Sequence, residues 1–123
     1  EFFYADSGIF SFLMLLNFLT YKKDDFNNLI KPLIKQRIIL PEINFKIKKQ
    51  IQIEKILNEI EKTFSSNKIN KDDGLTIFNK DFKFNLRQSQ TESNILRLNI
   101  EAKNKEILDQ NLALIKKIIN KSK

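Results

Sequence analysis

Residues 82–102, with the sequence FKFNLRQSQTESNILRLNIEA, contain two runs of alternating apolar and polar residues on either side of a polar segment. The apolar residues at every second position are Phe82, Phe84, Leu86, Leu96, Leu98 and Ile100. Strict alternation is typical of a strand with one buried side and one side in water. The stretch therefore predicts two half-buried strands joined by a loop.

The sequence on either side of this stretch extends the same pattern. The predicted elements in chain order are a strand at 43–47, a helix at 51–65, a strand at 75–78, a turn at 79–81, the two strands above and a helix at 104–120. Strands with one apolar face favour a sheet covered by helices on that face only. We therefore predict a two-layer α+β domain over residues 42–123, with the order β-α-β-β-β-α and a four-stranded, mainly antiparallel sheet.

The N-terminal segment differs in character from this domain. From Ile9 to Leu19 the sequence is IFSFLMLLNFL, which is apolar on nearly every side of a helix. Asp6 or Ser7 can cap that helix. Its eleven residues are too few to cross a membrane, which needs about 20. A helix buried in a core is the favoured interpretation, and a helix on a membrane surface is the alternative.

A second, shorter helix is predicted between this segment and the α+β domain. It extends from Phe26 to Ile30, with Asp24 or Asp25 as its cap, and Pro32 ends or kinks it. The residues that follow are predicted to be a linker. The chain is therefore divided into a helical segment at 1–30, a linker at 31–41 and the α+β domain at 42–123.

The composition excludes several classes of site. The 123 residues include no Cys and no His, which rules out disulfides, thiolate metal sites, imidazole-based triads and His-ligated zinc. The net charge of +7 comes mainly from 19 Lys, and in a chain also rich in Ile and Asn this indicates compositional bias more than nucleic-acid binding. Three Arg residues occur in spite of that bias and are therefore more informative about function: Arg37, Arg87 and Arg97.

The polar loop between the two strands, Arg87–Ser93, gathers side chains suited to an anion. A guanidinium presents a planar fork of donors that matches phosphate oxygens. Ser89 and Thr91 add short hydroxyl donors, Gln90 adds an amide, and a turn exposes backbone N–H groups. An ordinary solvated connection between strands is equally consistent with seven polar residues in a row.

In the same segment the sequence resembles the C-terminal domain of the α-D-phosphohexomutases, nearest to the phosphomannomutase/phosphoglucomutase members. The family motif is Arg-x-Ser-Asn/Gly-Thr-Glu-Pro, followed by a strand of the type Leu-Arg-Leu-x-Val-Glu-Ala. The matching residues are Arg87, Ser89, Thr91, Glu92, Leu96, Arg97, Leu98, Glu101 and Ala102. The chain departs from the motif at Gln90 and Ser93, and one additional residue lengthens the link to the strand.

Earlier segments resemble the family in the same order. Asp73-Gly74-Leu75 matches the turn before the hairpin, and Ile43-Asn44-Phe45 matches the opening strand of the last domain. Phe3–Gly8 resembles the start of the last helix in the preceding, sugar-binding domain. The resemblance therefore implies that residues 1–30 are the helical end of an incomplete α/β domain and that 42–123 are a phosphate-binding domain.

The resemblance also implies a function. Family members are four-domain enzymes that move a phosphoryl group on a hexose phosphate by means of a phosphoserine and a Mg²⁺ ion, while the last domain holds the substrate's phosphate. It implies a phosphate-binding set: Arg87, Ser89, Gln90, Thr91 and Arg97. The phosphoserine, Mg²⁺ and sugar-specificity loops have no counterpart in the chain, so we expect no catalytic or metal-binding residue and no activity from it alone.

The expected partners follow from the same resemblance. They are a hexose phosphate and the upstream domains of one cytoplasmic enzyme, with no nucleic acid and no membrane. Self-association through residues 1–30 is a further expectation, because an apolar helix would otherwise be exposed. A non-catalytic remnant and a basic nucleic-acid-binding module are the alternatives. The second is disfavoured because single-strand binders carry aromatic residues on the open sheet face, whereas Phe45, Phe82 and Phe84 share the apolar side.

Overall fold

The computed structural model describes residues 7–22, 25–34, 37–48 and 50–121, in two compact units, Glu1–Lys35 and Gln36–Lys123. Two of the predicted caps, Asp6 and Asp24, and most of the segment Phe3–Gly8 lie outside the described residues. The elements are α1 (Gly8–Lys22), α2 (Phe26–Ile34), β1 (Ile38–Ile39), β2 (Ile43–Lys46), α3 (Gln50–Thr63), β3 (Lys68–Asn70), β4 (Leu75–Phe78), β5 (Phe82–Gln88), β6 (Ile95–Ala102) and α4 (Lys105–Lys121).

The first unit contains α1 and α2. Ser7 caps α1, because the Phe10 N–H donates to Ser7 Oγ at 3.2 Å. The sequence favours burial of this helix in a core, but no residue of α1 is buried in the structure. α1 and α2 are both short, and α2 offers too little surface to enclose the apolar α1 on all sides. None of the helices in the described part of the chain combines the length and the apolar character needed to cross a membrane.

Helix α2 is longer than the sequence predicts. Asp25 caps it, since the Asn27 N–H donates to Asp25 Oδ1 at 3.1 Å. The helix continues past Pro32 to Ile34, although we predict an end at Ile30. Pro32 lies in the last turn, where its missing N–H removes a single hydrogen bond and its fixed φ is still helical.

The second unit has the predicted α+β architecture, with two strands more than predicted. Its six antiparallel strands are ordered β1-β6-β5-β4-β3, and β2 also pairs with β6. The prediction of four strands is therefore wrong in number. It omits β1 and β3, which have two and three residues and are too short to show an alternating pattern. The stretch 31–41, predicted as a linker, contains the end of α2 and all of β1.

The core lies between one face of the sheet and the helices α3 and α4. The buried side chains of β5 and β6 form one cluster with those of the two helices, as the alternation predicts; the cluster is Ile47, Ile53, Ile56, Ile60, Phe64, Leu75, Ile77, Phe82, Phe84, Leu86, Leu96, Leu98, Ile100, Ala102, Leu108, Ile115, Ile118 and Ile119. Phe64 stands edge-on to Phe84, with ring centroids 5.0 Å apart. Phe82 and Phe84 of β5 are both buried, and Phe45, which is partly buried, packs against the same core.

The opposite side of the sheet is called the open face. Alternation places Lys83, Asn85 and Arg87 of β5 there, and Arg97, Asn99 and Glu101 of β6 lie directly across from them. These six residues are half-buried or exposed. The predicted loop also begins later than expected, because Arg87 and Gln88 still belong to β5. Their side chains are therefore held by the sheet and not by a free loop.

Asn104 caps α4, and its substitution tests how much this helix stabilises the second unit. The Ile107 N–H donates to Asn104 Oδ1 at 2.9 Å. We expect Asn104→Ala to lower the free energy of unfolding by about 0.5–2 kcal/mol. Thermal unfolding followed by circular dichroism measures this as a lower Tm. Asn120→Ala is the control, because Asn120 is exposed in the same helix. Equal Tm values for the two variants would contradict the capping role.

Candidate anion-binding site

Two arginines lie directly opposite each other on the open face. Arg87 of β5 pairs with Arg97 of β6 in the antiparallel register. Like charges at opposed positions destabilise a sheet, and each guanidinium has one carboxylate beside it. Arg87 Nη1 lies 3.1 Å from Asp73 Oδ2, and Arg97 Nη1 lies 3.7 Å from Glu42 Oε1. The sheet therefore places two cations side by side, and among the residues that the structure describes each forms an ion pair with one carboxylate.

The loop that joins β5 to β6, residues 89–94, closes beside this pair. The Ser89 N–H donates to the Ile95 carbonyl at 2.8 Å, and the Ile95 N–H donates to the Glu92 carbonyl at 3.0 Å. Gln88 Nε2 donates to the Ser93 carbonyl at 2.6 Å. These bonds fold the loop back over the ends of the strands, so the path of its backbone is fixed.

The two hydroxyls of the loop converge on each other. Ser89 Oγ and Thr91 Oγ1 lie 3.3 Å apart, and the Glu92 N–H donates to Ser89 Oγ at 3.3 Å. Ser89 is buried, with 6% of its surface exposed. A buried hydroxyl that receives a backbone N–H keeps its own proton available for another acceptor. Glu92 thus supports Ser89 through its backbone.

All five residues of the predicted phosphate-binding set line one cavity. Its volume is about 110 Å³, and its walls are Arg87, Ser89, Gln90, Thr91 and Arg97. Arg97 Nε is buried and has no hydrogen-bond partner among the described residues. A buried charged donor without an acceptor is costly. The cavity itself presents two guanidiniums and two hydroxyls to an anion.

Two other features of the described residues lack this convergence. Arg37 donates to the Lys80 carbonyl at 3.1 Å and lies 3.5 Å from Glu101, so it joins parts of the second unit and does not line the cavity. A shallower depression of about 190 Å³ on the open face mixes charges of both signs with apolar side chains. The described residues contain no cluster of three or more acidic, His or Cys ligands that could hold a metal.

Several residues that the sequence does not predict for the site contact its arginines or hold the turn beside them. Asp73 and Glu42 contact the two arginines, and Asn85 Nδ2 donates to the Asp73 carbonyl at 2.7 Å. Gly74 has a φ of +71°, a conformation that glycine adopts readily. The sequence does contain a signal for Asp73. The predicted turn at 79–81 pairs Leu75 with Leu86, and this pairing places the residues just before Leu75 beside those just after Leu86. No local signal marks Glu42, because its partner is far away in the sequence.

Comparison with known proteins gives a consistent result, although no family model matches the chain. A phosphomannomutase of Methanocaldococcus jannaschii is 36% identical over 125 residues, which cover 98% of this chain and 27% of the relative. A phosphomannomutase of Vibrio cholerae is 34% identical over 94% of this chain and 23% of its own length. A phosphomannomutase of Escherichia coli is 29% identical over 84% of this chain and 22% of its own length.

The chain thus spans about a quarter of the length of the curated relatives that it matches. The similarity extends over most of the chain and is not limited to the loop and strand that carry the motif. The resemblance of this chain to part of an α-D-phosphohexomutase of the phosphomannomutase/phosphoglucomutase family is therefore confirmed.

Proposed function

We propose that the second unit binds the phosphate group of a hexose phosphate as the substrate-holding part of a phosphomannomutase-like enzyme. The observation that supports this most strongly is the cavity in which Arg87, Ser89, Gln90, Thr91 and Arg97 meet. A phosphate dianion fits this set, because guanidiniums and hydroxyls are donors and none of the described residues that line the cavity is a carboxylate. The names of the relatives support the same enzyme class.

In this proposal the residues of the chain bind and orient, and they do not react. Phosphoryl transfer depends largely on positioning and on neutralisation of charge. The arginines would neutralise the bound phosphate, and Ser89 and Thr91 would fix its rotation. The role proposed for this chain is to bind and orient the phosphate, and it includes no step that involves Mg²⁺. We further propose that the chain alone binds hexose phosphates without isomerising them.

Titration of the ¹⁵N-labelled chain with inorganic phosphate, mannose 6-phosphate and mannose 1-phosphate tests this function. We expect the amide signals of residues 88–93 and the Nε–H signals of Arg87 and Arg97 to shift together, with millimolar affinity for an isolated site. Mannose is the control, because it lacks the phosphate, and should leave these signals in place.

Shifts confined to other surfaces, or equal shifts with mannose, would contradict the assignment. A single-stranded oligonucleotide forms the last arm of the same titration. Steeply salt-dependent shifts of Lys46, Lys48 and Lys83 would indicate the nucleic-acid-binding alternative instead.

A further inference from the structure

The carboxylate of Asp73 touches the site from outside the cavity. Asp73 Oδ2 lies 3.1 Å from Arg87 Nη1, yet Asp73 is not among the residues that line the cavity. We propose that Asp73 is a positioning residue, which holds the Arg87 guanidinium so that its remaining donors face the bound phosphate. This inference rests on the proposed function, and it assigns to the Asp73-Gly74 turn a part in binding.

The contact between the two residues leaves most of the guanidinium available. A guanidinium has five N–H donors in a rigid fork, and Asp73 is the only hydrogen-bond partner of the Arg87 side chain among the described residues. The contact engages Nη1. The donors on Nε and Nη2 are then left for a phosphate, which accepts two parallel hydrogen bonds from such an edge.

The backbone around Asp73 is itself held in place. Asn85 Nδ2 donates to the Asp73 carbonyl at 2.7 Å and lies 2.9 Å from Thr76 Oγ1. Gly74 brings the turn so close to β5 that a Cβ on it would lie 2.8 Å from Arg87 Cα. The carboxylate is therefore presented to Arg87 by a fixed turn, although the Asp73 side chain is 66% exposed.

Positioning and simple electrostatics predict opposite results when the charge of Asp73 is removed. A carboxylate near an anion repels it, so Coulomb's law alone predicts tighter phosphate binding by Asp73→Asn. If Asp73 positions Arg87, the same substitution frees the guanidinium, and binding must order it again. We expect weaker binding by about three- to tenfold, in spite of the gain of one positive charge.

The experiment compares Asp73→Asn with Asp72→Asn in the 123-residue chain. Asp72 precedes Asp73 in the same turn and contacts Asn70 instead of an arginine, so both variants change the net charge equally. Affinities for inorganic phosphate and mannose 6-phosphate are measured by NMR titration. We expect only Asp73→Asn to weaken binding, with a sharp loss of order at the Arg87 Nε–H measured by its heteronuclear NOE, and an unchanged Tm.

The outcomes separate this inference from the proposed function. If the unsubstituted chain binds phosphate and Asp73→Asn binds as tightly or more tightly, the positioning role is wrong and the function stands. The same holds if Asp72→Asn weakens binding equally. If the unsubstituted chain does not bind either ligand, the function and the inference both fail.

Discussion

Gly74→Ala is expected to destabilise the second unit strongly and to displace Arg87. Gly74 has a φ of +71°, which costs a residue with a Cβ about 1–2 kcal/mol. An added Cβ would also lie 2.6 Å from the Leu86 carbonyl oxygen and 2.6 Å from Arg87 Cβ. These atoms belong to a central strand and cannot move aside easily, and overpacking of this kind costs about 1–3 kcal/mol. We therefore expect a loss of about 2–5 kcal/mol in the free energy of unfolding.

Chemical denaturation followed by circular dichroism measures this loss. Gly8→Ala is the matched control, because Gly8 has nothing within 4 Å of a Cβ and no positive φ. We expect that variant to unfold at the same denaturant concentration as the unsubstituted chain or slightly higher. Gly74→Asn separates the two causes, since Asn tolerates positive φ better than Ala. A mild effect of Asn beside a severe effect of Ala would assign the loss to φ alone and contradict the close approach to β5.

The elements that the sequence predicts well are those whose side chains alternate over several residues. β5 and β6 have seven and eight residues, and their alternation identifies both the core side and the open face. β1 has two residues, and its pairing of Ile38 with Ala102 depends on a partner 64 positions away. Such a strand forms because it can pair with the edge of β6, and two residues are too few to show a pattern that predicts this pairing.

The same distinction applies to the site. The five residues of the predicted set lie within eleven positions, and their chemistry and the family resemblance predict them. Their meeting in one cavity follows from a local event, the closing of the loop between two paired strands. The contact of Glu42 with Arg97 depends instead on the register that pairs Asn44 with Arg97. Registers between distant strands are set by the whole core, so these supports become visible only in the folded chain.

Arg87→Ala is expected to reduce affinity for mannose 6-phosphate by about 10- to 150-fold. A hydrogen bond between charged groups contributes about 1.5–3 kcal/mol, and about 1.4 kcal/mol corresponds to a factor of ten in affinity. Arg87→Lys keeps the charge but loses the planar fork, so we expect an intermediate loss. Isothermal titration calorimetry or the NMR titration above measures both values.

The stability of Arg87→Ala should change little while its affinity falls. The substitution removes an ion pair with the exposed Asp73, worth about 0–1 kcal/mol, and it also removes the repulsion between Arg87 and Arg97, which face each other across the strands. The two effects oppose each other, so we expect a Tm close to that of the unsubstituted chain. Two cations that oppose each other on one sheet are understandable if the pair serves binding, because sites for ligands often depart from the most stable arrangement.

Lys83→Ala is the matched control for this prediction. Lys83 lies four residues before Arg87 on the same strand and the same face, and it does not line the cavity. The substitution removes the same charge from the open face, so a general attraction between a basic surface and an anion would weaken in both variants. We expect Lys83→Ala to keep its affinity within about twofold, since charges of exposed groups more than about 10 Å apart are screened at ordinary ionic strength. Equal losses in the two alanine variants would show that phosphate responds to overall charge and would contradict a built site at Arg87.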